Sequence, residues 1–198
     1  MRGRPGGRRG RRCRDRAADL IGVLVSGEGT NLQALIDAGL PIACVASNTP
    51  GARALERAAR AGIATGAFPA EAYADRDERD ASMASWLEAH GARLVVCAGY
   101  MHLLRPCFLE RFPSRVVNTH SAPLPEFPGA RPIEDVLEAG VPETAATVHY
   151  VDEGVDSGPV IAAERVPVLD GDDATSLRAR VQAVEHRLLP RIVRELIS

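Results

Sequence analysis

Leu20-Ile-Gly-Val-Leu-Val-Ser-Gly-Glu-Gly-Thr-Asn-Leu32 is the segment that sets the architecture. Leu20 to Val25 is an unbroken apolar run of strand length, and a strand without polar alternation is one covered on both faces. Gly27 and Gly29 follow at once, and Asn31–Ala38 has helical character. Strand, glycine turn and helix in that order begin a parallel α/β unit. Glycines let backbone approach an anion closely, and the N–H groups at a helix start attract it. Thr30 and Asn31 add side-chain donors. A dinucleotide loop would need a third glycine where Leu32 stands, and an NTP loop would need a lysine, which this chain lacks altogether. A phosphate monoester site and a plain strand-to-helix turn both fit the segment.

Outward from this unit the alternation continues. Ile42–Ala46 reads as a strand, Arg53–Ala61 as a helix, and Ala64–Phe68 as a short strand. A long helix is expected from about Asp77 to His90, then apolar strands at Leu94–Ala98 and Val116–Thr119, with a helix beginning near Cys107 between them. Continuous apolar strands between helices predict a mostly parallel twisted sheet with helices on both faces. The last third changes character: Thr144–Val151 and Val160–Val168 flank a turn-rich loop, which predicts a hairpin or mixed edge. A final helix over Ala174–Ile197 carries the apolar stripe Leu177, Val181, Val184, Leu188, Ile192 and Leu196, with Pro190 expected to bend it. Asp170, Asp172 and Asp173 read as a solvated turn before that helix, with Asp173 or Thr175 as its N-cap. There is no internal repeat and no second boundary, so one domain over 19–198 is expected.

The 198 residues are 45% hydrophobic, enough for one domain with a core, and no apolar stretch nears the ~20 residues a membrane span needs. The net charge of -2 hides a division. Met1 to Arg16 holds eight arginines against Asp15 alone, so the remainder is acidic, which argues against a nucleic-acid-binding body. The arginine-rich stretch 1–18 cannot bury apolar surface and is expected to be a disordered extension. A nucleic-acid tether is its sharper reading and predicts salt-sensitive binding. Cys13, Cys44, Cys97 and Cys107 have no metal-like or redox spacing, which fits a reducing cytoplasm. Cys44 and Cys97 fall in strand-like runs and are expected to be buried thiols.

The chemistry concentrates in Asn118-Thr119-His120 and in Val155-Asp156-Ser157-Gly158-Pro159. Alternate residues of a strand face the same way, so Asn118 and His120 can share one pocket. The run Pro123 to Gly129 cannot continue the strand, which puts the pair where a strand gives way to a loop. A carboxylate such as Asp156 beside a histidine orients the imidazole and favours its charged form. An amide donor, an acid/base and a group that tunes it suit acyl transfer through a tetrahedral intermediate. His149 reads as a structural histidine in a strand; His90 and His186 read as surface or cap groups on helices, with a supporting role near the phosphate open for His186. The spacing of His120, His149 and Asp156 resembles no standard metal site, and no metal is expected.

Taken together these motifs resemble the glycinamide ribonucleotide formyltransferases, folate-dependent transferases of purine synthesis, over about Ile21 to Ile197. Ser26-Gly-Glu-Gly-Thr-Asn-Leu-Gln33 is similar to the family's substrate-phosphate loop, and Gly99-Tyr-Met-His-Leu-Leu104 to its folate segment. Asn118-x-His120 with Leu124 to Gly129, and Val148 to Pro159, are similar to the catalytic strand, its loop and the aspartate segment. The resemblance implies a Rossmann-like formyltransferase fold and transfer from 10-formyltetrahydrofolate, as cosubstrate, to phosphoribosylglycinamide. It implies that Asn118 binds the formyl oxygen, that His120 is the acid/base and that Asp156 holds and tunes it. It implies Gly29, Thr30, Asn31 and Glu185 for the ribonucleotide, and Arg76, Met101, His102, Leu103, Leu104 and Asn118 for the folate, with Arg76 near its acidic tail. A cytoplasmic enzyme of small-molecule substrates is expected, and a homodimer is left open.

Two departures from the family pattern stand out. His-Pro-Ser-Leu-Leu-Pro is common there, whereas this chain has His120-Ser-Ala-Pro-Leu-Pro125, and His102 stands where arginine is frequent. A methionyl-tRNA formyltransferase would carry a C-terminal tRNA-binding domain after the last helix, and a formyltetrahydrofolate hydrolase a regulatory domain before the first strand; neither is expected here. A non-catalytic folate- or nucleotide-binding module is the alternative from outside the enzymes, and hydrolase-like activity on formyltetrahydrofolate the alternative within them.

Overall fold

Ile21–Val25 forms β1, buried along its whole length, in the computed structural model, which describes residues 19–198. The arginine-rich stretch and Cys13 lie outside the described residues. The elements that follow are α1 Thr30–Asp37, β2 Ile42–Ser47, α2 Arg53–Arg60, β3 Ala64–Ala67, α3 Arg76–Ala89 and β4 Leu94–Cys97. Then come α4 Pro106–Leu109, β5 Val116–His120, α5 Pro132–Ala139, β6 Glu143–Tyr150, β7 Val160–Pro167 and α6 Ala174–Leu196. One seven-stranded sheet runs in the order β3-β2-β1-β4-β5-β6-β7. The pairs from β3 to β5 are parallel, and β5–β6 and β6–β7 are antiparallel, as the change of pattern in the last third predicts.

Alternate β1 residues feed different cores. Ile21, Val23 and Val25 join Leu32 and Leu35 of α1, Ala54 of α2, Ile133 of α5 and the α6 stripe; Leu24 joins Met83 and Leu87 of α3 and Phe108 of α4 on the other face. Helices therefore cover both sides, which is why the strand runs lack polar alternation. Cys44 and Cys97 are buried, and burial pushes both thiols up to about 12.

The helix starts are chemically marked. Asp75 caps α3 by accepting from the Glu78 N–H at 2.8 Å. Asp173, not Thr175, caps α6, accepting from the Thr175 and Ser176 N–H groups while Ser176 Oγ accepts from the Asp173 N–H. Asp173→Ala is expected to cost ~1 kcal/mol, seen as a lower denaturation midpoint at unchanged slope. Asp172 corrects the solvated-turn reading. Its carboxylate takes two hydrogen bonds from Arg180, at 2.6 and 2.9 Å, and one from the Leu169 N–H, and these hold it well below the usual carboxylate range. The helix continues unbroken through Pro190. The eight-residue α5 is absent from the sequence reading, hidden behind the Pro/Gly-rich run that precedes it.

Candidate active site

β1 lies between β2 and β4, so consecutive connections leave the sheet in opposite directions there and open a crevice at the carboxyl ends of the strands. The loop after β1, the loop after β4 and the end of β5 all border one cleft of about 710 Å³.

The glycine loop is shaped by close packing on α2. Gly29 has φ 73°, and a Cβ there would fall 2.5 Å from that of Ala54, so only glycine fits. Arg57 Nε donates to the Glu28 carbonyl at 2.8 Å, and the Ala54 N–H to the Gly27 carbonyl at 3.0 Å. The first turn of α1 holds no acidic residue, which leaves its N–H groups and dipole free for an anion. Asn31 Nδ2 donates to Glu185 Oε2 at 3.0 Å, and Asn31 Oδ1 is buried without a partner. Gly29, Thr30, Asn31 and Glu185 thus meet in one half of the cleft. His186, beside Glu185 on α6, lines a different groove between α1 and α6.

The other half is the segment after β4. Met101 and Leu103 are exposed, at 66% and 47%, while Leu104 and Tyr100 turn into the second core. Several hydrogen bonds fix this apolar strip. Ser26 Oγ accepts from the Met101 N–H at 2.9 Å and donates to Asn48 Oδ1 at 2.6 Å. Asn48 Nδ2 reaches His102 Nε2 at 3.0 Å. Burial, with the charges of Arg79 and Arg76, holds His102 below the ordinary imidazole value, which suits Nε2 as an acceptor. Beneath the strip, Asp80 takes two hydrogen bonds from the buried Arg79 and one from the Arg105 N–H at 2.9 Å. Arg76 donates to the Leu103 carbonyl at 2.8 Å, so one of its roles is to hold the strip. Ser26→Ala is expected to loosen the segment by ~0.5–1.5 kcal/mol, read as faster hydrogen exchange at the Met101 amide.

Between the halves stands the polar cluster. Asp156 Oδ2 lies 3.5 Å from His120 Nδ1 and accepts from the Gly129 N–H at 2.9 Å. Asp156 Oδ1 lies 3.4 Å from Asn118 Nδ2 and 3.4 Å from His149 Nε2. His120 is 6% exposed, and its Nε2 donates to the Phe127 carbonyl at 2.7 Å. The three residues singled out in the sequence are therefore gathered around one carboxylate. His149 is buried in a strand with both ring nitrogens satisfied, as its sequence reading expects, and it also borders the cluster: its Nε2 is 3.2 Å from Asn118 Nδ2 and its Nδ1 2.8 Å from the Tyr150 carbonyl. The antiparallel register Asn118↔His149 brings it there, and no spacing in the chain reveals that register. Among the described residues no group of three or more His, Cys, Asp or Glu is placed to hold a metal ion.

The loop after His120 is held to β6 and α6 by two hydrogen bonds. Ser121 Oγ donates to Glu185 Oε1 at 2.6 Å, and Thr147 Oγ1 donates to the Ala122 carbonyl at 2.8 Å. The Leu124–Pro125 peptide is cis.

A doubly covered sheet, a glycine loop, an apolar strip and an amide–imidazole–carboxylate cluster in one cleft suit a group-transfer protein. Comparison with known proteins carries this further. The formyl transferase family model matches residues 20–193, and the chain belongs to that family. It is 43% identical over 180 residues to the phosphoribosylglycinamide formyltransferase of Mycobacterium tuberculosis, covering 89% of this chain and 84% of that protein. It is 39% identical over 186 residues to the trifunctional purine biosynthetic protein adenosine-3 of Chironomus tentans, covering 90% of this chain but spanning only 14% of that protein's length. The crystal structure of glycinamide ribonucleotide transformylase 1 from Symbiobacterium toebii superposes with a TM-score of 0.87 at 45% identity, covering 89% of this chain and 86% of that one.

Proposed function

We propose that this chain transfers the formyl group of 10-formyltetrahydrofolate to the amine of 5′-phosphoribosylglycinamide, in purine biosynthesis. The observation that carries the reading is the gathering of Asn118, His120 and Asp156 between an anion loop and an exposed apolar strip. The unpartnered Asn31 Oδ1 and the buried Glu185 carboxylate are acceptors, and they suit the hydroxyl and N–H donors of a ribonucleotide. The N–H groups at the start of α1 suit its phosphate. Met101 and Leu103 offer exposed apolar surface to a flat pterin, and Leu104 backs them.

The cosubstrate supplies the formyl carbon. Asn118 donates an amide N–H to the formyl oxygen as it gains charge, the step at which a fixed donor acts most strongly. With its Nε2–H held on the Phe127 carbonyl, His120 takes and returns at Nδ1 the proton that passes from the attacking amine to the departing folate nitrogen. Asp156, whose Oδ2 lies 3.5 Å from Nδ1, stabilises the positive charge that arrives there.

The test is formyl transfer by the purified protein, with the ribonucleotide present and absent. Formylated ribonucleotide formed only when the acceptor is present supports the transferase. Release of formate without the acceptor points instead to a hydrolase. No turnover despite binding of both ligands rejects the reading in favour of a binding module.

A further inference from the structure

Glu185 is 3% exposed on α6, and a buried carboxylate is tolerated only with donors on its oxygens. The protein provides one to each. Asn31 Nδ2 reaches Oε2 at 3.0 Å, and Ser121 Oγ reaches Oε1 at 2.6 Å, the length of a charge-assisted O–H···O⁻ bond. Each oxygen keeps a lone pair for a ligand, so the two donors choose the rotamer and the ligand completes the site. Ser121 is also the residue immediately after His120. Its side chain therefore ties the end of the catalytic strand to α6 across 64 positions of sequence, and through Glu185 to the first turn of α1.

We infer that Ser121 is a positioning residue for the ribonucleotide: it aims Glu185 at the acceptor substrate and joins that half of the cleft to the strand bearing His120. The inference rests on the proposed function. A hydroxyl is what the geometry uses: Ser121 Oγ is the donor to Glu185 Oε1, and the tie joins the residue after His120 to a buried carboxylate of α6.

The discriminating experiment compares Ser121→Ala with Ser121→Thr, which restores the hydroxyl. A hydrogen bond to a charged group is worth ~1.5–3 kcal/mol, so Ser121→Ala is expected to raise KM for phosphoribosylglycinamide about tenfold or more. KM for the folate and kcat should hold, and Ser121→Thr should recover most of the loss. An unchanged ribonucleotide KM in Ser121→Ala, or a loss that appears as a lower melting temperature alone, would overturn the assignment. So would failure of Ser121→Thr to rescue. Carbon-13 NMR of the Glu185 carboxylate reads the same contact without turnover. Its resonance should move in Ser121→Ala and return in Ser121→Thr, and a resonance unmoved by either change overturns the inference. If the wild-type protein transfers no formyl group, the proposed function fails, and the NMR pair still decides whether Ser121 positions Glu185.

Discussion

Asn118→Ala is expected to turn over roughly 10²–10³-fold more slowly than the parent protein, the typical cost of removing one fixed oxyanion donor. The side chain is only partly buried, and its contacts are with His149 and Asp156 inside the cleft, so the sheet does not depend on it. Val116 and Val117, which precede it on β5, carry the packing. The loss should therefore appear in kcat and in kcat/KM together, as for an interaction made chiefly in the transition state. Unfolding curves should nearly overlay those of the parent. Single-turnover rates with both substrates saturating are the measurement, and a variant within tenfold of the parent would exclude Asn118 as the oxyanion donor.

Asp156→Asn should be slowed on the order of 10²–10⁴-fold, the scale seen when a carboxylate that fixes a catalytic imidazole becomes an amide. Burial alone would raise the Asp156 carboxyl. The hydrogen bonds from His149 and the Gly129 N–H, with attraction to the neighbouring His120 and His149 rings, outweigh it, leaving a value below the ordinary one. The group is thus ionised at neutral pH and serves His120 and the Gly129 N–H with one oxygen, and Asn118 and His149 with the other. An amide must turn its NH₂ toward one of those sets and lose the acceptor there. The fold should survive, because Asp156 sits at φ 49°, a conformation that asparagine tolerates nearly as well. The sign of the pH effect follows from the depressed value. Asp156 contributes stability above the unfolded carboxyl value, about 3.9, and loses it as pH falls through the folded value. Parent and variant should differ in unfolding free energy at neutral pH and converge in strong acid. Near-normal turnover by Asp156→Asn would sink the assignment.

Much of the fold was legible because the strands advertise themselves. Continuous apolar runs at Ile21–Val25, Leu94–Cys97 and Val116–Val117, set between helical stretches, read as doubly covered strands, and the switch to a hairpin edge showed in the turn-rich loop between β6 and β7. Asn118, His120 and Asp156 were legible because a strand period and a loop suffice to place them near one another. Features that depend on pairings far apart in sequence were not. His149 enters the cluster only through the antiparallel register with β5. Arg79 and Asp80 are charged residues on a helix, and nothing local says that both are buried beneath the strip after β4. Asp172 finds Arg180 two turns into α6, beyond the i,i+4 spacing that a sequence reading inspects. The helix α5 begins at Pro132, a favoured first helical residue, yet the prolines before it read as loop.

The docking of α6 also has a meaning in time. All seven strands lie N-terminal to residue 168, so the sheet can pair before the last helix exists as a packed element. Leu177, Val181, Leu188, Leu189 and Val193, all fully buried, then close the first core. Glu185 travels with them. α6 therefore brings Glu185 to its half of the cleft, whereas the strip after β4 and the Asn118–His120 strand belong to the sheet side. On the proposed function, a molecule with α6 undocked would lack Glu185 for the ribonucleotide, so binding of that substrate would report on whether α6 is docked.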